Sequence, residues 1–313
     1  MAASLPVEIL LMIVNEVTSS HDSRNLRAIN KSFCAFATPR AFRTVGATNR
    51  RDSALGLASL LQSDLARYVK EAVYRDYAAD EHGNAVAAVD RAPLDVDYGA
   101  TTVEALLKTF TLAARLPGLI SFRFVFHPKC PRDVAATVDL QHALLFTIGD
   151  AAPHLRFLTL INLTPVHHWV YGMSKFKSAL FYLTDLRIST TSAANLPEGS
   201  AMWRGLSDFW FYDIGMQVLH KLANVTLLVV ENDMPSGSSR IPQFVQRKTL
   251  PKLKYLVVRN LGIDIDSADV DEFVRRHPLL EWIDTGEGLR WVRHTHADPQ
   301  DETEYELPPS MAD

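Results

Sequence analysis

His167-His168 and His294-x-His296 are the residues of this chain whose type and spacing could ligate a metal. Neither pair has a Cys or carboxylate at ligand spacing, so they read as surface histidines rather than a metal centre. Asp264, Asp266, Asp269 and Asp271 form an acidic run. It lacks the glycine and the terminal glutamate of a calcium loop, and helix capping explains it better. No GxSxG nucleophile elbow occurs, and Cys34 and Cys130 stand far apart without a catalytic context. There is also no GxGxxG and no GxxxxGK[ST] phosphate loop. The chain is therefore read as non-catalytic and cofactor-free. The stretch His167–Tyr171, with Trp169 inside it, is the one place left for an unrecognised enzyme site.

The remaining chemistry is recognition, and its candidates sit on a repeating frame. The unit is an apolar residue, another three on and a third two further, with Asn two beyond. It is clearest in Leu155-x-x-Leu158-x-Leu160-x-Asn162, Val225-x-x-Leu228-x-Val230-x-Asn232 and Leu253-x-x-Leu256-x-Val258-x-Asn260. Weaker copies are Val69/Ala72/Tyr74/Asp76, Leu119/Phe122/Phe124, Leu183/Leu186/Ile188 and Leu280/Ile283. The copies begin 27 to 50 residues apart, as in a leucine-rich solenoid lengthened by insertions.

Helical periodicity fills the intervals, over Ser53 to Ala66, Thr102 to Leu116, Leu140 to Ala151, Met202 to Leu222 and Ala268 to Arg276. Leu116-Pro117, Ala152-Pro153, Leu250-Pro251 and His277-Pro278 mark tight turns just before strands. The expected architecture is α/β, with helix, turn and parallel strand repeated about seven times. A doubly wound sheet is the competing fold, but it would need a glycine-rich phosphate turn after its first strand.

In a solenoid the recurring residues point inward and those between them face the concave surface. That surface would carry Phe157, Thr159 and Ile161, then Asp185 and Arg187, Leu227 and Glu231, Tyr255 and Arg259, and Trp282 and Asp284. Large aromatics mixed with single charges suit binding of a protein target. Any one of them could instead be covered by an insertion or by neighbouring rows.

The N-terminus is built differently. Ser4 can cap a helix, Pro6 suits its first turn, and Glu8 favours the positive end of its dipole. Ile9, Leu10, Ile13, Val14 and Val17 come next at helical spacing. After a polar break at Ser19–Asp22, a second helix is expected from Ser23 to about Ala37, with Leu26, Ile29, Phe33 and Phe36 on one face. Pro39 should end or bend it. This is too little chain to cover its own apolar side chains. It reads either as a surface for a partner or as a helical cap on the repeat body.

Leu5-Pro6-x-Glu8-Ile9-Leu10, Ile13, Asn25-Leu26-Arg27, Ile29 to Phe33, Ala37-Thr38-Pro39 and Phe42 to Val45 together resemble the F-box motif, in its compact fungal form. Ser23, Arg24 and Ala28 depart from the leucines usual there. The body resembles the irregular leucine-rich-repeat domains that come after many F-boxes, although their Asn falls one residue later.

The resemblance implies docking on a Skp-type adaptor, and through it on a cullin-RING ubiquitin ligase of the SCF type. Leu5, Pro6, Ile9, Leu10, Ile13, Leu26 and Ile29 would hold the adaptor. The repeat domain would bind an unknown target, as a substrate receptor or as a non-degradative scaffold. The expected division is an adaptor-docking module at 1–45, a repeat domain at 46–296 and an acidic, disordered tail at 297–313.

Composition agrees with this class. The 313 residues are 47% hydrophobic and 22% charged, as in ordinary soluble proteins. A net charge of −4, with no basic cluster among aromatics, speaks against nucleic acid. Val7 to Val14 is too short to span a membrane, and Glu8 interrupts it as a signal peptide. Two distant cysteines fit a reducing compartment, so an intracellular location is expected, with cytoplasm and nucleus both open. Three insertions, Asp76–Gly99, Thr164–Lys177 and Pro235–Ser239, are expected as loops. The first holds six acidic residues against Arg91.

Overall fold

The computed structural model describes residues 6–17, 20–76, 99–126, 139–141, 143–145, 154–163, 182–190, 223–231, 250–259, 267–284 and 290–292. Among the described residues its frame is a single nine-stranded sheet whose strands lie side by side in sequence order. They are β1 (Thr44–Thr48), β2 (Glu71–Arg75), β3 (Ser121–Val125), β4 (Phe157–Leu163), β5 (Asp185–Thr190), β6 (Leu227–Glu231), β7 (Tyr255–Arg259), β8 (Trp282–Asp284) and β9 (Arg290–Val292). β1 to β8 run parallel, and β9 returns antiparallel against β8. A doubly wound sheet reverses its strand order midway; here no reversal occurs, so the α/β solenoid expectation holds.

The register explains why the repeat pattern is visible. Its second apolar position forms one ladder across the sheet, Ala72–Phe122–Leu158–Leu186–Leu228–Leu256–Ile283, and Val45 of β1 extends it. Every residue of that ladder is buried. The first position is as dry: Val69, Leu119, Leu155, Leu183, Val225, Leu253 and Leu280 are each at most 2% exposed.

The backbone repeats with them. A single carbonyl just ahead of each strand accepts two consecutive amides from the next, beginning with Lys70 and Glu71 on Arg43 O. The same fork recurs on Lys70, Ile120, Arg156, Thr184, Thr226 and Lys254, the last taking Glu281 and Trp282. Insertions between strands thus leave the strand-to-strand step unchanged.

Helices cover the ladder face. Among the described residues these include α4 (Arg51–Leu61), α5 (Ala100–Ala114) and α6 (Ser267–Arg276), and a 3-10 turn spans Asp64–Tyr68. Ala54, Leu57 and Leu61 of α4, Leu106 and Phe110 of α5, and Phe273 of α6 join the strand residues in one core. An aromatic block thickens it at β2 and β3, where Tyr74 meets Phe110 edge-on at 6.0 Å and Phe122 stacks on Phe124 at 5.9 Å.

The proline turns also repeat. The residue before proline accepts from the buried leucine three on, in Leu116–Leu119, Leu250–Leu253 and His277–Leu280. Proline's fixed φ suits the second position of such a turn. The Ala152-Pro153 turn and the Met202–Leu222 helix lie outside the described residues. So does most of Leu140–Ala151, although 139–141 and 143–145 are helical.

Asn162, next to last in β4, stands at φ 55°, a left-handed conformation that asparagine tolerates better than most residues. Its Nδ2 donates to Phe126 O at 2.9 Å, and its own amide donates to Ser189 Oγ at 3.1 Å, beside a register shift between β4 and β5.

Three short helices precede the sheet: α1 (Val7–Glu16), α2 (Ser20–Ile29) and α3 (Lys31–Ala41). Two expectations change here. The helix expected from Ser23 to Ala37 is two helices, because Asn30 is extended and its Oδ1 accepts from the Phe33 amide at 2.9 Å. That bond satisfies one amide of a new helix start and makes the break favourable. Pro39 does not end α3, which runs to Ala41. So near the C-terminus the missing N–H costs one hydrogen bond, and Phe42 N still reaches Thr38 O at 3.2 Å.

Pro6 stands at the N-cap of α1 without a side-chain cap bond, while Ser4 and Leu5 lie outside the described residues. The expected boundary at residue 45 falls inside β1, whose Val45 and Ala47 belong to the sheet's core. Residues 77–98, 164–181, 232–249 and 297–313, which hold the expected loops and tail, lie outside the described residues.

Candidate functional site

Two surfaces carry candidate residues. The first is the helical module, which has its own small core of Leu10, Val14, Phe33 and Ala37, with Leu26 and Phe36 packed against it. α1 contributes only Leu10 and Val14 to that core, one turn apart on a single stripe. The rest of its apolar side chains face outward. Val7 is 51% exposed, Ile9 40%, Leu11 41%, Met12 62% and Ile13 36%.

A helix apolar on nearly every side is normally buried on every side, so α1 lacks cover. Val7 and Leu11 form one uncovered flank and Ile9 and Ile13 the other, each pair spaced i,i+4. Ile29, at the end of α2, is 62% exposed.

The adaptor set named from sequence thus divides. Pro6, Ile9, Ile13 and Ile29 are at the surface, Leu26 is half-buried, Leu10 is turned into the module, and Leu5 lies outside the described residues. Of the departures from leucine, Ser23 is fully buried, whereas Arg24 and Ala28 face solvent.

Polar side chains brace the module. Arg40 Nη1 donates to Val14 O at 3.1 Å and Asn15 O at 3.0 Å. Arg27 Nε donates to Thr38 Oγ1 at 2.9 Å, and its guanidinium lies 4.5 Å from the Phe42 ring centre. Neither arginine has a bracing role that the sequence pattern reveals. The one signal for Arg40 is indirect, the absence of a basic residue from the last turn of α1.

The second surface is the sheet face opposite the helices. Phe157 is 38% exposed there, and Thr159, Ile161, Asp185, Arg187, Tyr255 and Trp282 are half-buried. Leu227 and Asp284, placed on this face from sequence, are only 2% and 4% exposed and so do not present their side chains. Glu231 and Arg259 are register partners across β6 and β7.

Several charged and polar groups on this face have polar neighbours. Glu71 accepts from Thr44 Oγ1 at 3.0 Å and lies 3.7 Å from Arg123 Nε. Asp185 accepts from Thr184 Oγ1 at 2.6 Å, yet burial outweighs that bond and the nearby Arg187, and raises its pKa. Tyr255 donates its hydroxyl to Glu281 at 2.6 Å; that bond, with burial and the carboxylate's charge, raises its pKa. Lys254 Nζ bonds the other oxygen of Glu281 at 2.7 Å.

Register places Arg123, Thr159 and Arg187 on consecutive strands in one layer. Glu71 and Arg123 are absent from the residues named from sequence, although the alternation that gives Asp185 and Arg187 also points to them: Glu71 precedes Ala72, and Arg123 lies between Phe122 and Phe124.

Among the described residues, no three His, Cys, Asp or Glu side chains gather as metal ligands. His167, His168, Trp169, Tyr171, His294, His296, Asp264, Asp266 and Cys130 lie outside the described residues, and Cys34 is free of a disulfide. No helix among the described residues is long and apolar enough to cross a membrane.

No protein-family model matches this sequence, and no curated protein does. A chain in the crystal structure of the Rad7 and Elc1 complex in yeast aligns with 89% of this chain and 88% of its own length. The identity is 11% and the TM-score 0.32, a distant likeness.

Proposed function

We propose that this chain is a substrate-receptor subunit of an SCF-type ubiquitin ligase. Its helical module docks on a Skp-type adaptor, and the open face of its sheet holds a target protein. The chain performs no chemistry itself. It raises the concentration of the target near the ligase by binding at both ends.

The observation that carries this reading is α1, a short apolar helix with two side chains covered and five large ones in solvent. Covering such side chains with a partner contributes roughly 1.5–3 kcal/mol for each one fully buried. The ordered F-box-like spacing across α1, α2 and α3 supports the choice of adaptor. The mixed aromatic and charged face of β4, β5, β7 and β8 supports the choice of a protein target.

The test is retention of a recombinant Skp-type adaptor by the full chain. Wild type should hold the adaptor, and Ile9→Asp with Ile13→Asp should abolish retention while leaving the fold intact. Retention unchanged by that pair, or absent in wild type, removes the assignment.

A further inference from the structure

α1 meets the rest of the module along one narrow stripe, Leu10 and Val14 against Phe33 and Ala37. A single stripe sets the distance between two helices but resists tilt and axial sliding weakly. α1 also ends without help of its own: its last turn holds no basic residue, and Val17 leaves the helical conformation at once. The final carbonyls of a helix need donors and favour a positive charge.

Arg40, in the last turn of α3, supplies both, with one nitrogen donating to Val14 O at 3.1 Å and Asn15 O at 3.0 Å. A charged donor shared by two consecutive carbonyls fixes a helix end in position as well as satisfying it.

We propose that Arg40 is a positioning residue: it sets the pose of α1, and with it the direction in which the flanks Val7/Leu11 and Ile9/Ile13 are presented. This rests on the reading that α1 docks on an adaptor. On that reading Arg40 touches no partner and acts through the α1 backbone. A partner groove shaped to both flanks requires their fixed orientation, because ordering a loosely held helix on binding opposes affinity. Lysine would keep the charge without the planar, preorganised donor set, so Arg40→Lys should recover part of the effect.

The experiment separates positioning from helix stabilisation. With the full chain and a recombinant Skp-type adaptor, Arg40→Ala should weaken binding by roughly tenfold, in line with the loss of charge-assisted hydrogen bonds. Adding Asn15→Lys to Arg40→Ala returns a cation to the end of α1 but does not tie it to α3, so binding should stay weak. A spin-label pair on Met12→Cys and Ala35→Cys, with Cys34 and Cys130 replaced by serine, reads the pose directly in the free chain. Its distance distribution should broaden in Arg40→Ala.

Wild-type affinity in Arg40→Ala, or full recovery with Asn15→Lys, overturns the proposal. So does an unchanged label distance. Failure of wild type to bind the adaptor instead sinks the docking reading, and the label distance still decides whether Arg40 holds α1.

Discussion

Ile9, Leu10 and Ile13 share one apolar helix but have different neighbours. Leu10 is 6% exposed within the module, whereas Ile9 and Ile13 are 40% and 36% exposed. Leu10→Ala should therefore act on stability, costing about 2–5 kcal/mol in the module's chemical denaturation. Ile9→Asp with Ile13→Asp should act on binding and leave that denaturation nearly unchanged. Equal stability losses in both variants would contradict the orientation of α1.

His277 is the other residue whose surroundings decide its role. It is 1% exposed, its Nε2 accepts from the Leu250 amide at 3.0 Å, and its Nδ1 lies 2.8 Å from Phe273 O. Those partners select the neutral ring, protonated at Nδ1, and tie the end of α6 to the turn before β7. Burial is the main cause lowering the pKa of His277; the bond to Phe273 O raises it, and Arg276 lowers it further. An unfolded histidine takes its proton near pH 6.5, before the folded one does. Stability from this residue is therefore complete above about pH 6.5 and declines as pH falls from there through the lowered folded value. His277→Gln, which keeps an acceptor for Leu250, should remove this part of the acid slope in denaturation series from about pH 7.5 to 5. An identical slope in the variant would refute it.

At the scale of elements, the division of α2 from α3 depends on Asn30. One side-chain bond to the Phe33 amide makes a second helix start possible within a stretch whose apolar spacing would suit a single helix. Asn30→Ala should lower the module's stability by about 1 kcal/mol in chemical denaturation, and no change would show the break to be set elsewhere. β1 shows the opposite case. Phe42-x-x-Val45-x-Ala47-x-Asn49 carries the repeat's own spacing, and pairing of Val45 with Ala72 of β2 makes it the first strand of the sheet rather than the end of the helical module. Ser53 Oγ accepts from the Thr48 amide at 3.0 Å, which satisfies one backbone donor at that end strand.

Among the described residues the molecule has two separate apolar cores, one in the helical module and one running the length of the sheet. Removing residues 1–41 should therefore leave the melting transition of the sheet in place while abolishing adaptor retention. Loss of the cooperative melt, followed by circular dichroism, would show that the two cores act as one. On the proposed reading the sheet face holds the target, and that face is uneven. The exposed Phe157 lies near half-buried Asp185 and Arg187, whereas Leu227, Val257 and Asp284 are covered. On that reading target contact should centre on β4 and β5. Once a target is captured, Phe157→Ala with Arg187→Ala should weaken its binding by at least about tenfold, since aromatic and arginine anchors dominate such interfaces. Adaptor retention should be unaffected.

The apolar repeat was legible because it is local. Period-two alternation, together with one leucine or valine three residues ahead, states which side chains must be dry, and burial of those residues in register results from it. The proline turns were legible for the same reason: proline constrains its own φ wherever it stands. The order of the strands and the division of the α1 face into covered and open sides depend on groups far apart in sequence. Leu10 and Ile13 look alike in a helical pattern, and only contact with Phe33 and Ala37 tells them apart. Arg40 was invisible for the same physical reason: the carbonyls it holds lie 25 and 26 residues earlier, and no local pattern links a guanidinium to the end of another helix.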